Sequence, residues 1–193
     1  HDSYLSARRE THLQKLADFL RIPSVSALPK HKGDVRRAAQ WAADHLRAIG
    51  VPKVEVLETG GHPAVYGEWI VHESLPTYLI YGHVDVQPVD PENLWETPPF
   101  EPVIRDGRIY ARGACDDKGC LFVALMAVEA LAAVDGQPPV NLKFLLEGEE
   151  EIGSPSLPAF LEREKERLKA NAVLCADGGF YLPQKPDITV GSR

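Results

Sequence analysis

Apolar positions along this chain change period several times, and each change predicts a new element. Leu13, Leu16, Ala17 and Leu20 fall at i, i+3, i+4 and i+7, the spacing of one helix face, and predict an N-terminal helix that ends near Arg21 before Pro23. A second helix is predicted over residues 34–49, with Val35, Ala38, Ala39, Ala42, Leu46 and Ile49 on one face and Gly50 as its stop. The pattern then turns β-rich over residues 53–58 and 64–70, a hairpin-like pair around Gly60-Gly61. Residues 77–81, 140–146 and 172–176 are short continuous apolar runs, the pattern of strands buried on both faces, and residues 188–190 begin a fourth. Between them lie a proline-rich loop (86–101), a hairpin with Asp106-Gly107 at its turn (104–112), an alanine-rich helix (118–134) and a charged surface helix (155–169). Strands alternating with helices of this length predict an α/β fold, three layers deep (α/β/α), around a largely parallel central sheet.

Composition narrows the function classes. The chain has 193 residues with 21 Lys and Arg against 28 Asp and Glu, a net charge of −7, and 44% of its residues are hydrophobic, the balance of a folded protein. No apolar run approaches the ~20 residues of a membrane span, and the first 20 residues are polar and charged, unlike a signal peptide. Arg8-Arg9 and Arg36-Arg37 are isolated pairs, so neither a nucleic acid nor a membrane is an expected partner. Cys115, Cys120 and Cys175 cannot close a disulfide framework, which predicts a reducing, cytoplasmic location. All seven histidines lie in the first 83 residues.

In open α/β sheets, sites form beyond the carboxyl ends of the strands. Here the three buried runs are followed by Gly82-His83-Val84-Asp85, by Glu147-Gly148-Glu149-Glu150-Glu151 and by Asp177, while Cys115-Asp116-Asp117-Lys118-Gly119 precedes the alanine-rich helix. One imidazole and several carboxylates are thus predicted on a single edge. Crowded carboxylates must take up a proton or find a cation, and a pair of divalent ions sharing a water meets that need. Oxygen and imidazole donors without thiolate suit Zn²⁺, with Mn²⁺ or Co²⁺ as alternatives.

Each piece also has a plainer reading. His83 alone is a loop or core histidine, but His-x-Asp on an extended segment puts both side chains on one face, so that Asp85 can hold the Nδ1 proton and free Nε2 for a metal. One of Asp116 and Asp117 is read as a helix N-cap; adjacent aspartates cannot both be the cap. The glutamate run is a solvated face if taken alone, yet it follows a buried strand and ends at Gly153-Ser154, where a helix start would aim amides at it. Gly148 and Gly153-Ser154 mimic a phosphate-binding loop without its lysine. Cys115 as a nucleophile would need His83 as its base, and Cys175 reads as a small buried strand residue.

Taken in order, Tyr81-Gly82-His83-Val84-Asp85-Val86-Gln87-Pro88, Ala111-Arg112-Gly113-Ala114-Cys115-Asp116-Asp117-Lys118-Gly119 and Glu147-Gly148-Glu149-Glu150-Glu151-Ile152-Gly153-Ser154 resemble the M20 metallopeptidases, most of all the cytosolic dipeptidase and carnosinase-like branch. The resemblance implies a zinc-peptidase type of α/β/α fold and hydrolysis of a dipeptide or similar small amide. It implies that His83, Asp116 and Asp177 hold one metal and that Asp116 bridges to a second, also held by Glu151. Glu150 would be the general base, Asp85 the partner of His83, and the Asp116–Asp117 peptide would be cis. Asp at position 177 is similar to the dipeptidase and aminopeptidase members rather than the carboxypeptidases. An N-acyl amino-acid deacylase of the same family is the alternative. The family takes a further histidine from downstream and inserts a lid or dimerisation domain, so the resemblance implies an N-terminal portion of a catalytic domain whose parent is a homodimer. The 193 residues alone are then expected to bind metal without turnover.

Overall fold

The computed structural model describes residues 1–175 together with Asp177 and Gly178. The predicted N-terminal helix is two helices, α1 (Asp2–Ala7) and α2 (Arg9–Leu20), separated at Arg8, whose φ of −108° leaves the helical region. α3 (Lys32–Ala48) buries the alanine-rich stripe seen in the sequence, including Val35, Ala38, Ala39, Ala42 and Leu46. The β-rich pieces form the antiparallel hairpin β1 (Lys53–Leu57) and β2 (Ala64–Trp69), and the first apolar run forms β3 (Thr77–His83). β4 (Val103–Arg105) and β5 (Arg108–Tyr110) make a separate hairpin; Asp106 and Gly107 have φ of 53° and 74°, the left-handed pair such a tight turn requires.

α4 (Lys118–Asp135) then leads to β6 (Asn141–Glu147), α5 (Leu157–Glu164) and β7 (Ala172–Cys175). The main sheet has the order β1-β2-β6-β3-β7. Its centre, β6-β3-β7, is parallel as expected, and the β1-β2 hairpin joins β6 as an antiparallel edge. Period-two alternation sorts the side chains onto two faces. Val65, Ile80, Phe144 and Leu146 pack under α2, α3 and α4 with Phe19, Leu46, Leu121 and Leu125. Ala64, Leu79 and Leu145 face the other way and pack against Phe160 and Leu157 of α5. The molecule is therefore α/β/α.

Two expectations are corrected. The charged helix is shorter than predicted, since only Leu157–Glu164 is α-helical. β7 pairs with β3 as predicted but is not buried: Val173 and Leu174 are 62% and 53% exposed, and Cys175 is exposed too. Among the described residues β7 has a strand on one side only, so its apolar sequence reports pairing rather than enclosure. Residues 188–190 lie outside the described residues. Among the described residues, no helix is long and apolar enough to cross a membrane.

Candidate metal centre

Parallel pairing places His83 directly opposite Glu147, so the loops leaving β3 and β6 start side by side at one sheet edge. α4 packs against β3 and brings the Asp116–Asp117 pair, joined by a cis peptide, to the same edge. Lys118 anchors that helix start: its fully buried Nζ donates to the carbonyls of Phe19 (3.1 Å) and Ile22 (2.7 Å) at the end of α2. Burial brings this amine down to about 7, against weaker pull from Asp85 and Asp34.

His83 is 0% exposed. Its Nε2 lies 3.1 Å from Asp116 Oδ1, 3.8 Å from Asp177 Oδ2 and 3.9 Å from Glu150 Oε2. One donor atom each from His83, Asp116 and Glu151 can be chosen so that all lie within 4.8 Å of one another. The proposed ligands and the proposed base therefore converge, at half-exposed to exposed carboxylates around one buried imidazole.

Asp85 does more than the sequence pattern implied. The Nδ1 of His83 sits 3.1 Å from the Asp85 carbonyl and 3.4 Å from its carboxylate. That carboxylate, fully buried, also accepts the amides of Glu150 (3.2 Å) and Glu151 (3.1 Å). Asp85 thus fixes the ring of His83, through its carbonyl with its carboxylate close by, and its carboxylate fixes the turn that presents both glutamates. Burial opposes a charge on His83, but the Asp85 hydrogen bond and charge, with Asp117 and Glu150 beyond, outweigh it and carry the imidazole up to about 10. Burial, and then Asp116 and Asp85, raise Glu151 despite its hydrogen bond from Gln87. The edge carries more negative charge than its own protons comfortably balance, and it offers imidazole and carboxylate oxygen without thiolate. These residues fit a divalent cation.

Several side chains differ from their predicted roles. Asp117 occupies the N-cap position of α4, yet its carboxylate does not cap the helix. It turns to β3, where Oδ2 accepts the amide of His83 at 3.1 Å, and Oδ1 is buried with no partner among the described residues. Gly82 makes room for this contact, because a Cβ there would stand 2.6 Å from Asp117 Oδ2. Burial lifts Asp117 to about 7. The glutamate run divides. Glu147 accepts the Tyr81 hydroxyl, and Glu149 accepts the amides of His62 (2.8 Å) and Ser156 (2.9 Å), so both are buried structural groups. Only Glu150 and Glu151 face the centre. Gln87 was not singled out from sequence, although its Nε2 donates to Glu151 Oε2 at 2.7 Å. The signal was present: His83, Asp85 and Gln87 stand at i, i+2 and i+4 of one extended segment.

Comparison with known proteins agrees with the geometry. Residues 79–191 match the model of peptidase family M20/M25/M40, and the chain belongs to that family. It is 32% identical to human Beta-Ala-His dipeptidase, covering 98% of this chain and 40% of that protein. It is 33% identical to the Cys-Gly metallodipeptidase of Schizosaccharomyces pombe, over 98% of this chain and 42% of the relative. Among solved structures, human carnosine dipeptidase 1 superposes with a TM-score of 0.85 at 31% identity, covering 91% of this chain and 40% of that one. An M20 family metallo-carboxypeptidase from Sulfolobus solfataricus superposes with a TM-score of 0.81 at 41% identity, covering 88% of this chain and 38% of that one. The chain thus spans about 40% of the length of the curated relatives it matches.

Proposed function

We propose that this chain carries the metal-holding and proton-transferring residues of a hydrolase that cleaves a dipeptide or similar small amide. The observation that carries the reading is the convergence of His83, Asp116 and Glu151 beside Glu150 on one sheet edge. His83, Asp116 and Asp177 would hold one cation, and Asp116 with Glu151 a second, with Zn²⁺ the first choice for these donors and Mn²⁺ or Co²⁺ the alternatives. Such ions supply Lewis acidity toward the scissile carbonyl and a more acidic water. Asp85 orients His83 and the Glu150 turn together. Glu150 takes a proton from water and returns it to the leaving amine. Its 39% exposed side chain can reach both bulk water and the imidazole edge. A reducing, cytoplasmic compartment suits the three free cysteines.

A carboxypeptidase is the second reading, favoured by the Sulfolobus solfataricus likeness. The test assays the polypeptide carrying this chain, loaded with Zn²⁺ or Mn²⁺, against free dipeptides, N-blocked dipeptides and N-acyl amino acids. Preference for free dipeptides supports the proposal; faster cleavage of N-blocked dipeptides replaces it with the carboxypeptidase reading, and of N-acyl amino acids with a deacylase. Glu150→Gln is expected to lower kcat about 100- to 10,000-fold while retaining metal. Undiminished turnover would overturn the base assignment.

A further inference from the structure

Beside the metal centre lies a cavity of about 540 Å³ that none of the proposed metal ligands lines. Its walls are Pro91, Leu94 and Trp95 from the loop after β3, and Val103, Ile109 and Tyr110 from the β4-β5 hairpin. Both walls are continuous with the site. The loop leaves β3 through Gln87, which holds Glu151, and the hairpin runs on through Ala114 and Cys115, which also line the cavity, to Asp116. The walls are tied in place. Trp95 Nε1 donates to the Val89 carbonyl at 2.9 Å, and the Arg112 guanidinium lies 5.2 Å from the Trp95 ring centroid while donating to the Pro88 carbonyl at 3.0 Å. Arg105, which also lines the cavity, pairs with Glu96 at 3.0 Å and lies 4.8 Å from the Tyr110 ring centroid.

These features are unlike a packing defect. The volume is that of a small-ligand site, and the lining is mostly apolar and aromatic, with Asp90, Glu96, Thr97 and Arg105 as its polar members. Leu94 is 74% exposed although it belongs to this apolar wall. We propose that the cavity is a specificity subsite that receives an aromatic or branched apolar side chain of a small peptide-like ligand, next to the amide presented to the metal centre. It rests on the hydrolase reading above for its purpose, but not for its binding, because no proposed metal ligand lines it. The Trp95 indole and the Tyr110 phenol in the lining favour aromatic side chains over aliphatic ones.

The test labels the chain with 5-fluorotryptophan and assigns the three resonances by Trp95→Phe, leaving Trp41 and Trp69. The probes are L-phenylalaninamide and glycinamide, each titrated with Zn²⁺ and with chelator. The expected result is a saturable shift of the Trp95 resonance with phenylalaninamide, about tenfold weaker apparent affinity for glycinamide, and persistence under chelator. Leu94→Glu, at an exposed position that the fold does not depend on, is expected to weaken phenylalaninamide binding about tenfold. A Trp95 resonance unmoved by phenylalaninamide, equal responses to the two probes, or an unchanged affinity in Leu94→Glu would overturn the subsite. Loss of zinc binding with the Trp95 response intact would instead count against the metal reading and leave the subsite standing.

Discussion

Two of the clusters among the described residues set a buried imidazole against carboxylate, and they have opposite chemistry. At the sheet edge, one histidine, His83, faces Asp85, Asp116, Glu150 and Asp177, with Glu151 close by. Among the described residues, no Lys or Arg forms an ion pair with these acids. In the helical layer, one carboxylate, Glu129 on α4, receives Tyr4 from α1 at 3.0 Å and both Lys15 at 3.2 Å and His12 at 3.3 Å from α2. His45 of α3 stands 3.9 Å from Glu129, stacked on Trp41 and tilted against Phe122. The imidazoles respond in opposite directions: His83 is raised to about 10, and burial, then Lys15, lowers His45 to about 4. The residue types are shared, so the ratio of acids to donors sets the role. A surplus of acids at an open edge attracts a cation from solution; one acid surrounded by donors is already neutralised and serves to fasten helices.

Four changes would break or sharpen that contrast. His83→Ala should reduce Zn²⁺ affinity by more than the ~100-fold that loss of an outer partner costs, measured by competition with a chelating dye. Retained affinity would mean that the acids alone hold the ion. Glu129→Ala should leave Zn²⁺ affinity unchanged but destabilise the fold by about 3–5 kcal/mol in urea, because Lys15 and His12 lose their shared acceptor. A metal effect from this variant would dissolve the distinction between the clusters.

Acidification should act on the helical cluster next. His45 is neutral when folded and has an ordinary value of 6.5 when unfolded, so the unfolded chain binds protons more readily as pH falls. Its contribution to stability is complete above about 6.5, declines as pH drops, and levels off below about 4, a loss of about 3 kcal/mol. Urea midpoints over this range should fall for the wild type and flatten in His45→Gln. An equally steep fall in that variant would assign the loss to other groups, with Glu129 entering below its ordinary 4.5. The smallest effect is expected from Gln87→Ala, about tenfold in Zn²⁺ affinity through release of Glu151, with stability within about 0.5 kcal/mol of wild type.

Much of the site was legible in the sequence because strand period is rigid. Once residues 77–81 read as a strand, His83 and Asp85 had to share a face, and the strand ends had to share an edge. The glutamate run was less legible. Glu147 belongs to β6 and obeys its period, whereas the next residues enter a 3-10 turn at Glu150–Ile152, and the alternation ends. Which of these acids faced the site depended on the amides of His62 and Ser156 capturing Glu149, the first of them far from it in sequence. One of Asp116 and Asp117 looked like a helix cap for the same reason: position before a helix is local, but the Asp117 carboxylate followed the amide of His83 across the sheet edge. Cys175 was read as buried from an apolar strand sequence, and only the strand's place in the sheet shows it exposed.

By itself, the sequence determined the elements, the α/β class and the collection of one histidine with many acids at a single edge. Those follow from periodicities of the backbone, which neighbours in sequence are sufficient to set. Tertiary structure alone decided which acids became structural, that Asp85 supports both His83 and the glutamate turn, and that His12, His45 and Glu129 meet at all. Each of those outcomes depends on long-range contacts and on local charge balance, because a carboxylate is placed by whatever donor reaches it first in three dimensions.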